Sequence, residues 1–102
     1  MTERPFSYEI ADDFRRLVLR GDLDEIATIE VRNTLSTMSE GLTKDVTVDL
    51  SDLDLLPSSA VGVIASAQDG AKRKGATIRF VAADGTVAAR VLAVCGLDYS
   101  ES

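Results

Sequence analysis

Segments patterned as β-strands alternate with segments patterned as α-helices along almost the whole chain. Alternating apolar residues predict strands over about residues 6–10, 46–50 and 77–82, and the short apolar run 17–19, closed by Gly21, predicts one more. Apolar residues three or four positions apart predict three helices, one from Ile26 to a stop at Gly41, one over residues 58–74 and one over residues 87–95. The order β-β-α-β-α-β-α predicts one α/β domain with a mostly parallel sheet, because helices that link parallel strands make right-handed crossovers.

The first two predicted strands are joined by a short turn at Asp12 and Asp13, which makes the first strand an antiparallel edge of the sheet. We therefore expect a mixed sheet of four to five strands with three to four helices packed on it. An edge strand offers unpaired backbone groups, so the chain is predicted to be a monomer or a weak dimer. Functional loops follow the carboxyl ends of such strands, here at residues 21–25, 50–58 and 83–85.

Composition narrows the classes of partner. The chain has 102 residues and a net charge of −6, which disfavours nucleic acid and anionic membranes because both attract clustered Lys and Arg. The N-terminal residues lack a signal-peptide pattern, and the longest apolar stretch, residues 60–65, is too short to span a bilayer. Cys95 is the only cysteine, so no internal disulfide forms and we expect a cytoplasmic protein.

The chain contains no histidine, which removes the commonest general base and the commonest metal ligand. We therefore expect no cofactor, no metal and no enzymatic activity. The acid pairs Asp22/Asp24 and Asp52/Asp54 are interpreted as solvated loop edges rather than as a cation site. Cys95 is predicted to be a buried structural thiol on the apolar face of the third helix.

The segment from residue 48 to residue 64 reads as a strand, a loop and the start of a helix. Pro57 is typical of a helix start, so Ser58 and Ser59 fall at the N-cap or in the first turn. Serine commonly caps a helix at such a position. The structural interpretation of Ser58 and Ser59 is therefore that they only cap this helix.

Three short motifs occur along the chain in this order: Gly21-Asp22-Leu23-Asp24, then Pro57-Ser58-Ser59-Ala60, then Gly96-Leu97. Together they resemble the STAS domain of anti-sigma-factor antagonists, which carries a Gly-Glu/Asp-Leu-Asp motif, an Asp-Ser-Ser/Ala-Gly-like motif and a Gly-Leu pair. The resemblance covers about residues 6–99 and implies a single STAS domain over residues 1–102. Pro57 stands where the family has an acid, and Ala60 stands where it has a glycine.

The resemblance implies a bacterial regulator of sigma-factor-dependent transcription. Its partner would be an anti-sigma factor that is also a serine kinase, and a phosphatase would reset the switch. Ser58 would be the phosphorylated residue, with Ser59 as the alternative. A second hypothesis is a constitutive, non-phosphorylated STAS adaptor that binds another regulatory or transporter protein. Pro57 favours this second hypothesis because it removes the family's carboxylate.

The predicted partner-binding surface consists of residues in two of these motifs and in the helix that follows, namely Asp22, Asp24, Pro57, Ser58, Ser59, Val61, Gly62 and Ala65. Asp24 is interpreted either as a partner contact or as a helix cap. Gly62 is interpreted either as a point of close approach for a partner or as helix–sheet packing. Because several acids lie nearby (Asp49, Asp52 and Asp54), this end is predicted to be negative and to need a neutral or basic partner surface.

Overall fold

The computed structural model describes residues 4–101, and within them seven elements follow in the predicted order. They are β1 (Ser7–Ala11), β2 (Arg16–Asp22), α1 (Glu25–Met38), β3 (Val46–Leu55), α2 (Ser58–Arg73), β4 (Ile78–Val81) and α3 (Val87–Val94). One sheet has the order β1-β2-β3-β4, in which β1 is antiparallel to β2 and the other pairs are parallel. The predicted fold class is confirmed. The predicted domain bounds also take in residues 1–3 and 102, which lie outside the described residues.

The hydrophobic core lies against one face of this sheet. In register across the three parallel strands, Leu17 pairs with Val48 and Val48 pairs with Phe80, and all three side chains are buried. Their neighbours along the strands point to the opposite face, where residues such as Arg16 and Thr47 are only half-buried. The three helices cover this core, and each contributes apolar residues to the same cluster.

β3 is longer than predicted, because it continues from Leu50 to Leu55. Its pairing with β2 carries two register irregularities, one between Val18 and Arg20 and one between Gly21 and Asp22. Such irregularities break the alternation of apolar and polar residues, which is why the second half of the strand reads as a loop in sequence. The predicted loop at residues 50–58 therefore shrinks to residues 56–57.

α1 begins at Glu25 and ends at Met38, before the predicted stop at Gly41. The Ser39 hydroxyl donates to the Leu35 carbonyl at 2.6 Å and accepts from the Leu42 N–H at 2.9 Å, which closes the last turn. Ile26 does not belong to the apolar stripe that it was predicted to open, since it is 79% exposed.

The prediction that Cys95 is buried on the apolar face of α3 was wrong. Ala88, Ala89 and Leu92 are buried, whereas Val94 is 83% exposed and Cys95 is exposed at the C-cap. Almost every residue of this short helix is apolar, so hydrophobic periodicity does not distinguish its inner face from its outer face. Cys95 is therefore a surface thiol and not a buried structural one.

Candidate functional site

The two serines of the second motif are the first two residues of α2, and neither caps it. Pro57 occupies the N-cap in an extended conformation, and its carbonyl accepts from the N–H groups of Ala60 and Val61 at 3.0 and 3.1 Å. Within residues 4–101, the hydroxyls of Ser58 and Ser59 make no hydrogen bond, and both residues are exposed. The capping interpretation of these serines is wrong, and both hydroxyls are free to meet another molecule.

The two serines face different directions. Residues of an α-helix are separated by about 100°, so Ser58 lies in line with Gly62 and Ala65 on the outer face of α2. Ser59 points toward α1 instead and lines a groove of about 540 Å³ between the two helices. Ser58 does not line this groove, so a group attached to one serine reaches a different surface from a group attached to the other.

Of the three helical residues predicted to contact a partner beside Ser58, only two are accessible. Gly62 is exposed and Ala65 is half-buried. Val61 is only 5% exposed and packs in the core, so the prediction that it contacts a partner is wrong. The buried face of α2 is wider than the sequence pattern indicates, because it includes Val61 as well as Ala60 and Ile64. Val63, which the sequence reasoning missed, is half-buried and lines the groove four residues after Ser59. That spacing is the signal that would have found it.

The first motif builds the connection between β2 and α1. Gly21 has a positive φ of +84°, and a Cβ there would collide with the Pro5 carbonyl oxygen, so only glycine fits. The Asp22 N–H donates to the Arg4 carbonyl at 3.2 Å, and Leu23 is fully buried. Asp24 is the N-cap of α1, and its carboxylate accepts from the Ala27 N–H at 2.8 Å. The capping interpretation of Asp24 is confirmed.

The acids at the end of β3 form ion pairs with arginines from distant parts of the chain. The Arg4 guanidinium bonds both carboxylate oxygens of Asp54, at 2.7 and 2.9 Å, and Oδ1 of Asp52 at 3.0 Å. Arg20 approaches the other oxygen of Asp52 at 3.5 Å. The hydrogen bonds from Arg4 hold the pKa of Asp54 below its usual range. Asp52 and Asp54 are therefore paired at this edge, and the expected need for a neutral or basic partner surface stays a prediction.

Asp49 is also paired, but in a less exposed place. Partial burial raises the pKa of its carboxyl, whereas hydrogen bonds from Ser51 and the Arg16 guanidinium lower it, and the net pKa lies below the usual range. The Ser51 N–H donates to Asp49 at 3.0 Å and Arg16 donates at 2.9 Å.

Over residues 4–101, no cluster of acids and cysteine is arranged to hold a metal ion. No helix in that range is long and apolar enough to cross a membrane.

A family model described as a MlaB-type STAS domain matches residues 6–99, which is nearly the whole chain. The chain belongs to the STAS domain family. The motif around Ser58 and Ser59 thus lies at the start of the second helix of a STAS domain, as the sequence predicted.

Solved structures of anti-sigma factor antagonists share the fold of this STAS domain. The unphosphorylated form of SpoIIAA matches with a TM-score of 0.67 and 23% identity, covering 91% of this chain and 82% of that one. The phosphorylated form of the Bacillus protein SpoIIAA matches with a TM-score of 0.61 and 21% identity, covering 91% and 85%. An antagonist from Mycobacterium paratuberculosis matches with a TM-score of 0.75 and 13% identity, covering 96% and 87%.

Proposed function

We propose that this STAS domain is an anti-sigma-factor antagonist that acts in the bacterial cytoplasm. It binds an anti-sigma factor that is also a serine kinase, and phosphorylation of Ser58 breaks that contact. The domain thereby regulates sigma-factor-dependent transcription, and it neither catalyses a reaction nor holds a cofactor. The observation that carries the proposal is the exposed Ser58 hydroxyl, free of hydrogen bonds within residues 4–101, in the first turn of a 16-residue helix.

A kinase needs a serine hydroxyl that enters its active site without unfolding the substrate, and Ser58 meets this requirement. The first N–H groups of a helix lack partners within the helix, and the helix dipole is positive at that end. A phosphate on Ser58 is therefore stabilised where it forms, and the domain stays folded after modification.

The phosphate acts on the partner rather than on the fold. It adds a charge of about −1.5 to −2 to an outer face that otherwise presents small residues, Gly62 and Ala65. A partner surface packed against those residues would have to desolvate that charge, which weakens the complex. Ser59 does not substitute for Ser58 in this mechanism, because it faces α1 across the groove.

The second candidate function is the constitutive adaptor, which binds a regulatory or transporter protein in a single unmodified state. Pro57 favours it, since the N-cap residue carries neither a carboxylate nor an N–H with which a kinase could orient the serine. The nearest preceding acids do not replace that carboxylate, because Asp52 and Asp54 are bound to Arg4.

Intact-mass spectrometry with site mapping, on protein isolated from its native cells during growth and under stress, separates the two functions. A phosphate on Ser58, lost in Ser58→Ala and retained in Ser59→Ala, supports the switch. The co-isolated anti-sigma factor should then bind the unmodified domain and not Ser58→Glu. A protein that stays unmodified in both conditions contradicts the switch and supports the adaptor.

A further inference from the structure

Gly62 is an interior glycine of α2 that the fold itself does not require. Its backbone is helical, and a Cβ placed on it meets no atom within 4 Å. The other interior glycine, Gly70, differs, because a Cβ there would come within 2.9 Å of Leu42 Cδ1. Glycine is less favourable than alanine inside a helix, so packing explains Gly70 and leaves Gly62 unexplained. The helix–sheet packing interpretation of Gly62 is therefore wrong.

Gly62 borders the groove between α1 and α2. The α2 wall carries small side chains at helical spacing, Ser59, Gly62 and Ser66, and the apolar base includes Leu42 and Val63. Because residue 62 has no side chain, the α2 surface does not project at this point, and another backbone can approach it closely.

The groove also carries a positively charged side chain that forms no ion pair with the described part of the domain. Among the residues that the structure describes, Arg32, on the α1 wall, is the only charged one that lines it. Within residues 4–101 its guanidinium forms no ion pair or hydrogen bond, in a chain whose net charge is −6. A groove with one free cation and no carboxylate is complementary to an occupant that brings a negative charge.

We propose that this groove receives an amphipathic helix of the partner protein, which packs small apolar residues against Gly62 and pairs an acidic side chain with Arg32. A helix fits better than an extended segment, because the groove runs between two helices and offers no strand edge for backbone pairing. The proposal rests on the proposed function in taking the anti-sigma factor as the partner. It extends the contact from the Ser58 face, across Gly62, which borders both surfaces, into the groove, which Ser58 does not line.

Binding of the purified anti-sigma factor to the full chain, measured by titration calorimetry, tests the groove with two variants and two matched controls. Gly62→Leu fills the groove and Arg32→Glu reverses its charge, and each should weaken binding at least tenfold. Ala93→Leu and Arg90→Glu make the same changes at exposed positions of α3, and each should bind within twofold of the unsubstituted domain. Gly62→Ala should weaken binding while raising Tm, which separates a lost contact from a lost fold.

The outcomes distinguish this inference from the proposed function. If Ser58→Glu abolishes binding but Arg32→Glu binds normally, the groove proposal is overturned and the proposed function stands, because Arg32 lines the groove whereas Gly62 borders both surfaces. If no anti-sigma factor binds, a photo-crosslinking residue at Ser66 decides in native cells. Crosslinks to an acidic helix of another protein, lost in Arg32→Glu, support the groove, whereas crosslinks to a second copy, to an extended segment or to nothing overturn it.

Discussion

Replacing the two interior glycines of α2 by alanine, one at a time, should have unequal effects on stability. Alanine is favoured over glycine inside a helix by roughly 0.8–1.0 kcal/mol, and both positions have this gain available. At Gly62 nothing opposes it, because a new Cβ meets no atom within 4 Å. Gly62→Ala should therefore raise the free energy of unfolding by about 1 kcal/mol and Tm by roughly 4–6 °C.

At Gly70 the same methyl group meets the Leu42 side chain at 2.9 Å, which is too close for carbon atoms. The atom that it meets is the end of the Leu42 side chain, which is half-buried against the core, so this side chain must shift to admit the methyl group. Overpacking of this kind costs roughly 1–3 kcal/mol. Gly70→Ala should therefore be neutral or destabilising by up to about 2 kcal/mol, the clash offsetting the helix gain.

Urea unfolding followed by circular dichroism measures both effects, since a single domain of this size commonly unfolds in two states. A third comparison isolates the clash: in a Leu42→Ala background, Gly70→Ala should recover the full gain of about 1 kcal/mol. If Gly62→Ala destabilises the domain as much as Gly70→Ala does, then the fold does require Gly62. The groove proposal would then lose its main support.

Three further results are expected. Asp24→Ala should lower the free energy of unfolding by about 1 kcal/mol in urea titrations, because the Ala27 N–H loses its cap, whereas Asp24→Asn should change it little. The thiol of Cys95 should react completely with Ellman's reagent in the native protein, and Cys95→Ser should leave Tm unchanged; a thiol that reacts only in denaturant would contradict its exposed position. Because the folded pKa of Asp49 is depressed, its contribution to stability is present above its unfolded pKa of about 3.9 and is lost as pH falls through the folded value. The urea midpoint should therefore fall less steeply with acid in Asp49→Asn than in the unsubstituted domain.

The order of elements and the direction of the strands were predictable, because periods of two and of about 3.6 residues are local properties of the sequence. The failures arise where the local pattern is broken or uninformative. The irregular pairing near Gly21 hid the second half of β3, and the nearly uniform apolar sequence of α3 left its buried face undetermined.

The candidate site was predicted in position but not in detail. The motif placed Ser58 and Ser59 at the start of a helix, yet local sequence did not reveal that Pro57 would take the N-cap. The pairing of Arg4 with Asp54 joins residues 50 positions apart, and the approach of Arg32 to the α2 groove depends on helix packing. Both are tertiary features that no pattern along the chain encodes.

The backbone of Arg4 and Pro5 lies directly against Gly21, and this position has a practical consequence for work with the domain. Arg4 and Pro5 are held beside β2 and the end of β3, just before α2 begins. Any polypeptide attached ahead of Arg4, whether an affinity tag, a fluorescent protein or a neighbouring domain, emerges at this edge. Such a fusion would stand beside Asp54, four residues before Ser58 in the chain, and should be kept away from this end in binding experiments. In a multidomain protein, the same arrangement would place a preceding domain beside the end of β3.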